Sequence, residues 1–66
     1  MKHIKLIPQT TMYSTHWVVE GKESCTVVTC AGEYITRFNG HIIHTSEYCG
    51  ETMNFLNEYF ALWLAN

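Results

Sequence analysis

The sequence predicts an α+β fold: a small antiparallel β-meander of four strands, or five if the N-terminal segment joins the sheet, with one C-terminal α-helix packed on one face (ββββα). Runs of alternating apolar and polar residues, separated by glycine-containing pairs, are typical of strands joined by tight turns. The last part of the chain instead repeats large apolar residues at helical spacing. A chain of 66 residues has room for a single domain, which we expect to cover residues 1–66.

The predicted strands follow from alternation and from their content of β-branched residues. The first strand ends at Pro8, and the second ends at Gly21-Lys22, which fits a type II′ turn with glycine in its first position. Ala31-Gly32 and Asn39-Gly40 supply the later turns, and Asn-Gly is the strongest short-range hairpin signal. The strands are predicted over residues 3–7, 13–20, 23–30, 33–38 and 41–45.

The C-terminal segment is predicted as a helix over residues 47–64. Ser46 is a suitable N-cap, and Glu47 and Glu51 lie near the positive end of the helix dipole. Gly50 weakens the first turn and is also compatible with a later start. The apolar residues at helical spacing are Met53, Phe55, Leu56, Tyr59, Phe60, Leu62, Trp63 and Leu64.

Turns of two residues fix which side chains share a face of the sheet, because direction alternates along each strand. A buried unpaired charge is costly, so we expect the helix to cover the face without charged residues. That face is predicted to carry His16, Val18, Cys25, Val27, Thr29, Tyr34, Thr36, Phe38, His41, Ile43 and Thr45. The other face is predicted to carry Thr15, Trp17, Val19, Ser24, Thr26, Val28, Cys30, Glu33, Ile35, Arg37, Ile42 and His44.

The second face is rich in apolar residues although the helix does not cover it, and such patches tend to be binding sites. Two copies could bury it by stacking their sheets, and symmetric homodimers are common. A different protein could instead use an aromatic and an arginine residue of this face as anchors. The predicted partner-binding residues are Trp17, Val19, Val28, Ile35, Arg37 and Ile42.

Composition disfavours several functional classes. The formal charge is −2 and the four basic residues are scattered, which argues against nucleic-acid binding. No apolar run is long enough for a transmembrane helix, and the segment Met1 to Pro8 lacks the length and cleavage site of a signal peptide. Three cysteines cannot all pair within one chain, so we expect a reducing, cytoplasmic setting and no membrane partner.

Metal and nucleophile chemistry are also weakly supported. A zinc site would have to combine Cys30 with His44, or Cys25 with His41 and Cys49, and neither set has the usual ligand spacing. A Cys49 nucleophile near the helix N-terminus, assisted by His41 or His44, would lack an Asp to orient the imidazole, because the chain contains none. We therefore expect no catalytic residue, no metal site and no cofactor.

The predicted function is that of a non-enzymatic protein-protein interaction module that acts through the apolar sheet face. The expected partners are a host protein and a second copy of the chain. Small size and the lack of catalytic groups are typical of accessory proteins of phages or mobile elements, which inhibit or modulate a host protein or defence complex. The alternative is a small regulatory module that is stabilised by zinc or associated with nucleic acid.

Overall fold

The computed structural model describes residues 2–12 and 14–66, so Met1 and Tyr13, the predicted first residue of the second strand, lie outside the described residues. The elements follow the predicted order. They are β1 (Leu6–Thr10), β2 (Thr15–Val19), β3 (Lys22–Cys30), β4 (Glu33–Phe38), β5 (His41–Ser46), α1 (Cys49–Tyr59) and α2 (Ala61–Ala65).

The predicted fold class is confirmed. The five strands form one antiparallel sheet in the order β1-β2-β3-β4-β5, and the helical segment follows the last strand. The N-terminal segment supplies the fifth strand. The helical segment is divided at Phe60, whose φ of −103° and ψ of 22° depart from helical values, so α1 and α2 take the place of one continuous helix.

Two of the predicted turns have the expected geometry. Asn39 and Gly40 have φ values of 53° and 84°, and Phe38 pairs with His41 across them. Ala31 and Gly32 have φ values of 51° and 82°. Positive φ at both central residues is the type I′ conformation, whose twist matches that of the flanking strands.

Strand β1 begins later than predicted and continues through Pro8. The N–H of Glu20 donates to the carbonyl of Lys5 at 2.9 Å, and Pro8 is paired with Trp17 in the same register. Hydrogen-bonded and non-bonded pairs alternate along an antiparallel ladder, so Pro8 lies in a non-bonded pair with its nitrogen directed away from β2. Proline is tolerated there because no ladder hydrogen bond is lost at the edge of the sheet.

The predicted face of β2 is wrong. Val19 pairs with Lys22, so the turn consists of Glu20 and Gly21, and the register shifts again between Val18 and Val19. Beyond this irregularity Trp17 pairs with Val27, whereas the predicted Gly21-Lys22 turn would pair it with Thr26. A one-residue slip moves every side chain of a strand to the other face.

Gly21 explains why this turn takes its observed form. Its φ is +83°, a conformation that side chains rarely adopt. A Cβ atom at this position would lie 2.8 Å from Cζ2 of Trp63, so the indole ring of this α2 residue packs directly on the turn. Lys22 adds to the contact, with its Nζ 5.0 Å from the Trp63 ring.

Strand β5 also departs from the predicted alternation. Arg37 pairs with Ile42, but Thr36 pairs with His44, so a bulge separates the two pairs. The extra residue brings His44 to the same face as Thr36 and sends Thr45 to the opposite face, the reverse of the prediction for both.

The hydrophobic core lies between the sheet and the helices, on what we call the helix face. Its buried apolar residues are Ile4, Val19, Cys25, Val27, Leu56 and Phe60. Phe38 packs edge-on against Phe60, with ring centroids 5.4 Å apart. The segment before β1 closes one end of this layer, because the N–H of Ile4 donates to Oδ1 of Asn57 at 2.9 Å.

Ser46 fixes the entry to α1 but is not its N-cap residue as predicted. The helix begins at Cys49, and Tyr48 occupies the N-cap position without a side-chain hydrogen bond. The buried Ser46 hydroxyl instead donates to Oε2 of Glu51 at 2.7 Å and accepts from the N–H of Tyr48 at 3.0 Å. In the part of the chain that the structure describes, the helices fall short of the length and apolar character needed to cross a bilayer.

Candidate protein-binding face

The side of the sheet away from the helices, here called the open face, is formed by two rows of paired residues that cross all five strands. Paired residues of neighbouring strands point to the same side. The first row is Ile7, Val18, Thr26, Arg37 and Ile42, and the second is Gln9, His16, Val28, Ile35 and Thr45. Cys30 and Glu33 form a further pair beyond the second row, next to the β3–β4 turn.

Four of the predicted partner-binding residues lie on the open face: Val28, Ile35, Arg37 and Ile42. Trp17 and Val19 do not, because both belong to the helix face. Val19 is fully buried in the core, and the Trp17 ring lies 6.2 Å from that of Tyr34. Their predicted place in the patch is therefore corrected.

Sequence reasoning missed two members of the apolar set, Ile7 and Val18, which pair with each other across β1 and β2. Val18 reaches the open face through the irregularity between Val18 and Val19, which changes the pairing by an odd number of residues and has no turn signal in the sequence. Ile7 would have been found by extending the first strand through Pro8, because the segment from Leu6 to Thr10 then alternates across the edge of the sheet.

The open face keeps its apolar side chains in contact with solvent. Ile7 is 40% exposed and Ile42 is 56% exposed, while Val18, Val28 and Ile35 are half-buried by their neighbours in the sheet. The whole chain has an accessible surface of 4770 Å². A folded monomer of this mass is expected to expose about 4,300 Å², so the chain exposes more surface than is average for its size.

Arg37 of the first row and Glu33 of the pair beyond the second row lie on the same strand, with Ile35 midway between them. Rise along a strand separates them by about 13 Å, too far for a direct ion pair. Within residues 2–12 and 14–66 neither forms a salt bridge, and the strand neighbours of Arg37 are Thr26 and Ile42. An acid and a base thus flank an apolar centre, each without an ion-pair partner among the described residues.

The three thiols differ in environment. Cys25 is fully buried, and desolvation by burial raises its pKa to about 11, which keeps the thiol protonated and unreactive near neutral pH. Cys30 is exposed at the margin of the open face, and Cys49 is exposed at the first residue of α1.

The residue combinations that a zinc site would need are not assembled among the described residues. Cys30 lies on the open face and His44 on the helix face, while Cys25 is in the core. His41 is the first residue of β5, whereas Cys49 follows the other end of that strand as the first residue of α1. Among the described residues, no group of three or more His, Cys, Asp or Glu side chains could hold a metal ion.

His44 has a packing role instead of a position beside Cys49. Its ring stacks on Phe55 of α1, with centroids 4.3 Å apart and planes 13° from parallel. Its Nδ1 and the hydroxyl of the cross-strand neighbour Thr36 are both buried, and neither has a hydrogen-bond partner among the described residues. These two groups belong to the interior under the helix.

A shallow groove between the N-terminal segment and α2 gathers several charged residues at the opposite end of the molecule from the β3–β4 turn. Lys2 and Lys5 line it together with Glu20 and Trp63. The carboxylate of Glu20 offsets part of the positive charge, and the Trp63 ring is engaged by Gly21 and Lys22. The groove does not form a continuous basic stripe of the kind that follows a nucleic-acid backbone.

No protein-family model matches the chain, and comparisons with curated proteins and with solved structures found no match.

Proposed function

We propose that the protein is a non-enzymatic interaction module whose open face binds another folded protein. One observation carries the proposal: apolar side chains contributed by every strand lie together on a face that neither helix covers. Their burial against a partner would add about 25 cal/mol for each Å² removed from water. A flat sheet face also suits a broad contact better than it suits a small ligand, which favours a concave pocket.

The open face specifies the chemistry of its partner. It calls for a flat apolar surface with an acidic group opposite Arg37 and a basic group opposite Glu33. A small module with such a face acts by covering a surface of its partner. We extend the proposal to a cytoplasmic accessory protein of a phage or mobile element that inhibits or modulates a host protein or defence complex in this way.

The thiols offer a direct test in cells that produce the protein. Cys30 reports on the open face, Cys49 lies outside it, and the protonated Cys25 stays unlabelled. Intact cells and dilute purified protein are treated with a maleimide at neutral pH, and labelling at each site is quantified by mass spectrometry. We expect the labelling of Cys30 relative to Cys49 to be several-fold lower in cells.

A matched pair of variants links any protection to the open face. Ile35→Glu places a carboxylate in the middle of the face, and Leu62→Glu makes the same kind of change at a residue of α2 that is 84% exposed. We expect Ile35→Glu to restore labelling of Cys30 in cells and Leu62→Glu to leave it protected. Equal labelling ratios in cells and in dilute solution would refute the proposed function.

A captured protein qualifies as the partner only by the same criterion. Affinity capture with the natural chain is compared with capture by Ile35→Glu, and the protein lost with the variant is purified. That protein is expected to protect Cys30, and not Cys49, when the two purified chains are mixed. A captured protein that leaves Cys30 fully reactive binds elsewhere and counts against the proposed face.

A further inference from the structure

The proposed function does not say which protein binds the open face. The charges of that face favour one partner. We infer that a second copy of this chain binds there, with the two sheets stacked about a two-fold axis that places Glu33 of each copy opposite Arg37 of the other. This inference rests on the proposed function, because it names the occupant of the same surface.

Strand β4 is self-complementary. Glu33, Ile35 and Arg37 point to the open face at equal spacing, so reversing the strand about Ile35 exchanges the acid and the base. A two-fold axis that lies between the sheets, perpendicular to the strands, performs this reversal for both copies at once. Each copy then supplies an acidic group opposite Arg37 and a basic group opposite Glu33 of the other.

The other symmetric ways of stacking the sheets are electrostatically worse. An axis parallel to the strands and passing over β4 would set Glu33 against Glu33 and Arg37 against Arg37 of the two copies. An axis between the two rows would set Arg37 over Ile35 and bury the guanidinium without a partner. Like charges in contact and unpaired buried charges both oppose association.

The inferred arrangement agrees with the geometry of known sheet pairs. Stacked sheets lie about 10 Å apart and cross at about 30°, so residues some 7 Å from the axis are displaced sideways by only about 3–4 Å. The long side chains of Glu33 and Arg37 can span that offset. Glu33 is exposed and lies next to the β3–β4 turn, so the ion pairs form near the rim, where the cost of desolvation is smaller than in an interior.

The axis passes through the second row, whose central residues are apolar. Val28 and Ile35 pair with each other in the sheet, and in the dimer they meet the same residues of the second copy. Cys30 lies as far from this axis on β3 as Thr26 does on the other side, so each Cys30 is covered by Thr26 of the second copy. The dimer therefore protects Cys30 and leaves Cys49 open.

Charge exchange within one chain tests the inference. Glu33→Arg and Arg37→Glu each create two like-charged contacts per dimer, and the double variant restores two attractive ones. Sedimentation equilibrium of the natural chain over a concentration series is expected to show a monomer–dimer equilibrium. Each single variant should weaken the dimer by about tenfold or more, and the double variant should return to within about threefold of the natural chain.

Exposed charged residues outside the open face provide matched controls. Glu58→Arg on α1 and Lys2→Glu in the groove beside α2 make the same charge changes and are expected to leave the dimer constant unchanged. A circular dichroism melt of every variant separates loss of association from loss of folding. A natural chain that sediments as a monomer throughout, or a double variant that dimerises no better than the single variants, would overturn the inferred dimer.

This result is separable from the test in cells. If purified protein is monomeric but Cys30 is still protected in cells, a different protein occupies the open face, and the proposed function stands without the dimer. If Cys30 is unprotected in cells and no dimer forms, both fail. Slower labelling of Cys30 as the concentration of purified protein rises, with Cys49 unaffected, is the outcome expected for the dimer.

Discussion

The helix face and the open face are built from the same five strands, and they differ in what lies over them. On the helix face, Val19, Cys25 and Val27 are buried to within 1% of full burial beneath α1 and α2. On the open face, the aliphatic side chains remain in contact with solvent, and Ile42 is 56% exposed. Folding is thus driven from one side of the sheet, while the apolar area of the other side remains available for association.

The two faces should differ most in how much the free energy of unfolding falls when an apolar side chain is truncated to alanine. Leu56→Ala removes a fully buried side chain from α1 and should lower the free energy of unfolding by about 2–5 kcal/mol, a large share of the stability of a domain this small. Ile42→Ala on the open face should change it by about 0.5 kcal/mol or less. Urea unfolding of dilute protein measures both, and comparable losses would show that the open face also holds the fold together.

The two neighbouring residues of β2 sharpen the comparison. Trp17 packs towards Tyr34 on the helix face, so Trp17→Ala should cost about 2 kcal/mol of unfolding free energy. Val18 pairs with Ile7 and Thr26 on the open face, so Val18→Ala should change unfolding little and weaken association. The reverse pattern, with Val18→Ala the more destabilising in dilute solution, would restore the register that the sequence suggested.

The helix face also predicts a loss of stability at alkaline pH. Burial raises the pKa of Cys25 from 9.0 to about 11, so the unfolded chain releases this proton at lower pH than the folded chain. The contribution is fully present below pH 9 and is lost as the pH rises towards 11. Unfolding measured at pH 8 and pH 10.5 should show a smaller decrease for Cys25→Ala than for the natural chain. Equal decreases would mean that other groups account for the alkaline loss.

The smallest expected effect is a gain. Thr36 is fully buried on the helix face, and its hydroxyl has no hydrogen-bond partner among the described residues. Thr36→Val replaces that hydroxyl with a methyl group of similar volume and should raise the unfolding free energy by about 1 kcal/mol. Thr26→Val, the matched change on the half-buried open face, should have a smaller effect on unfolding. A destabilised Thr36→Val would indicate that an ordered water satisfies the hydroxyl.

The sequence was sufficient for the fold class and for most of the open face, for identifiable reasons. Asn39-Gly40 and Ala31-Gly32 admit only a narrow set of turns, so they fixed how β3, β4 and β5 meet near their ends. Val28, Ile35 and Ile42 follow from those turns. Arg37 supplied the rule that assigned the faces, and the structure places it away from the helices as expected.

The errors have an equally local origin. Moving the turn from Gly21-Lys22 to Glu20-Gly21 shifts the register by two residues and leaves the faces unchanged, so the reversal of β2 comes from the irregularity between Val18 and Val19, where Val19 enters the core. The bulge opposite Thr36 contains no glycine that would mark it in the sequence. Alternation alone therefore could not predict that the His44 side chain points towards Phe55. In both cases a tertiary contact accompanies a register that local sequence left undecided.

Pro8 bears on how many chains can join. Its nitrogen faces the outer edge of β1 and offers no donor there, so an additional strand cannot form a continuous ladder along that edge. Strand-by-strand growth is the route by which sheets become fibres. With that route obstructed on one side, the inferred stacking of two open faces would end after a single pairing, because it would cover the open face of each copy. The pyrrolidine ring of Pro8 in the edge strand thus favours an assembly with a fixed number of chains over an open-ended polymer.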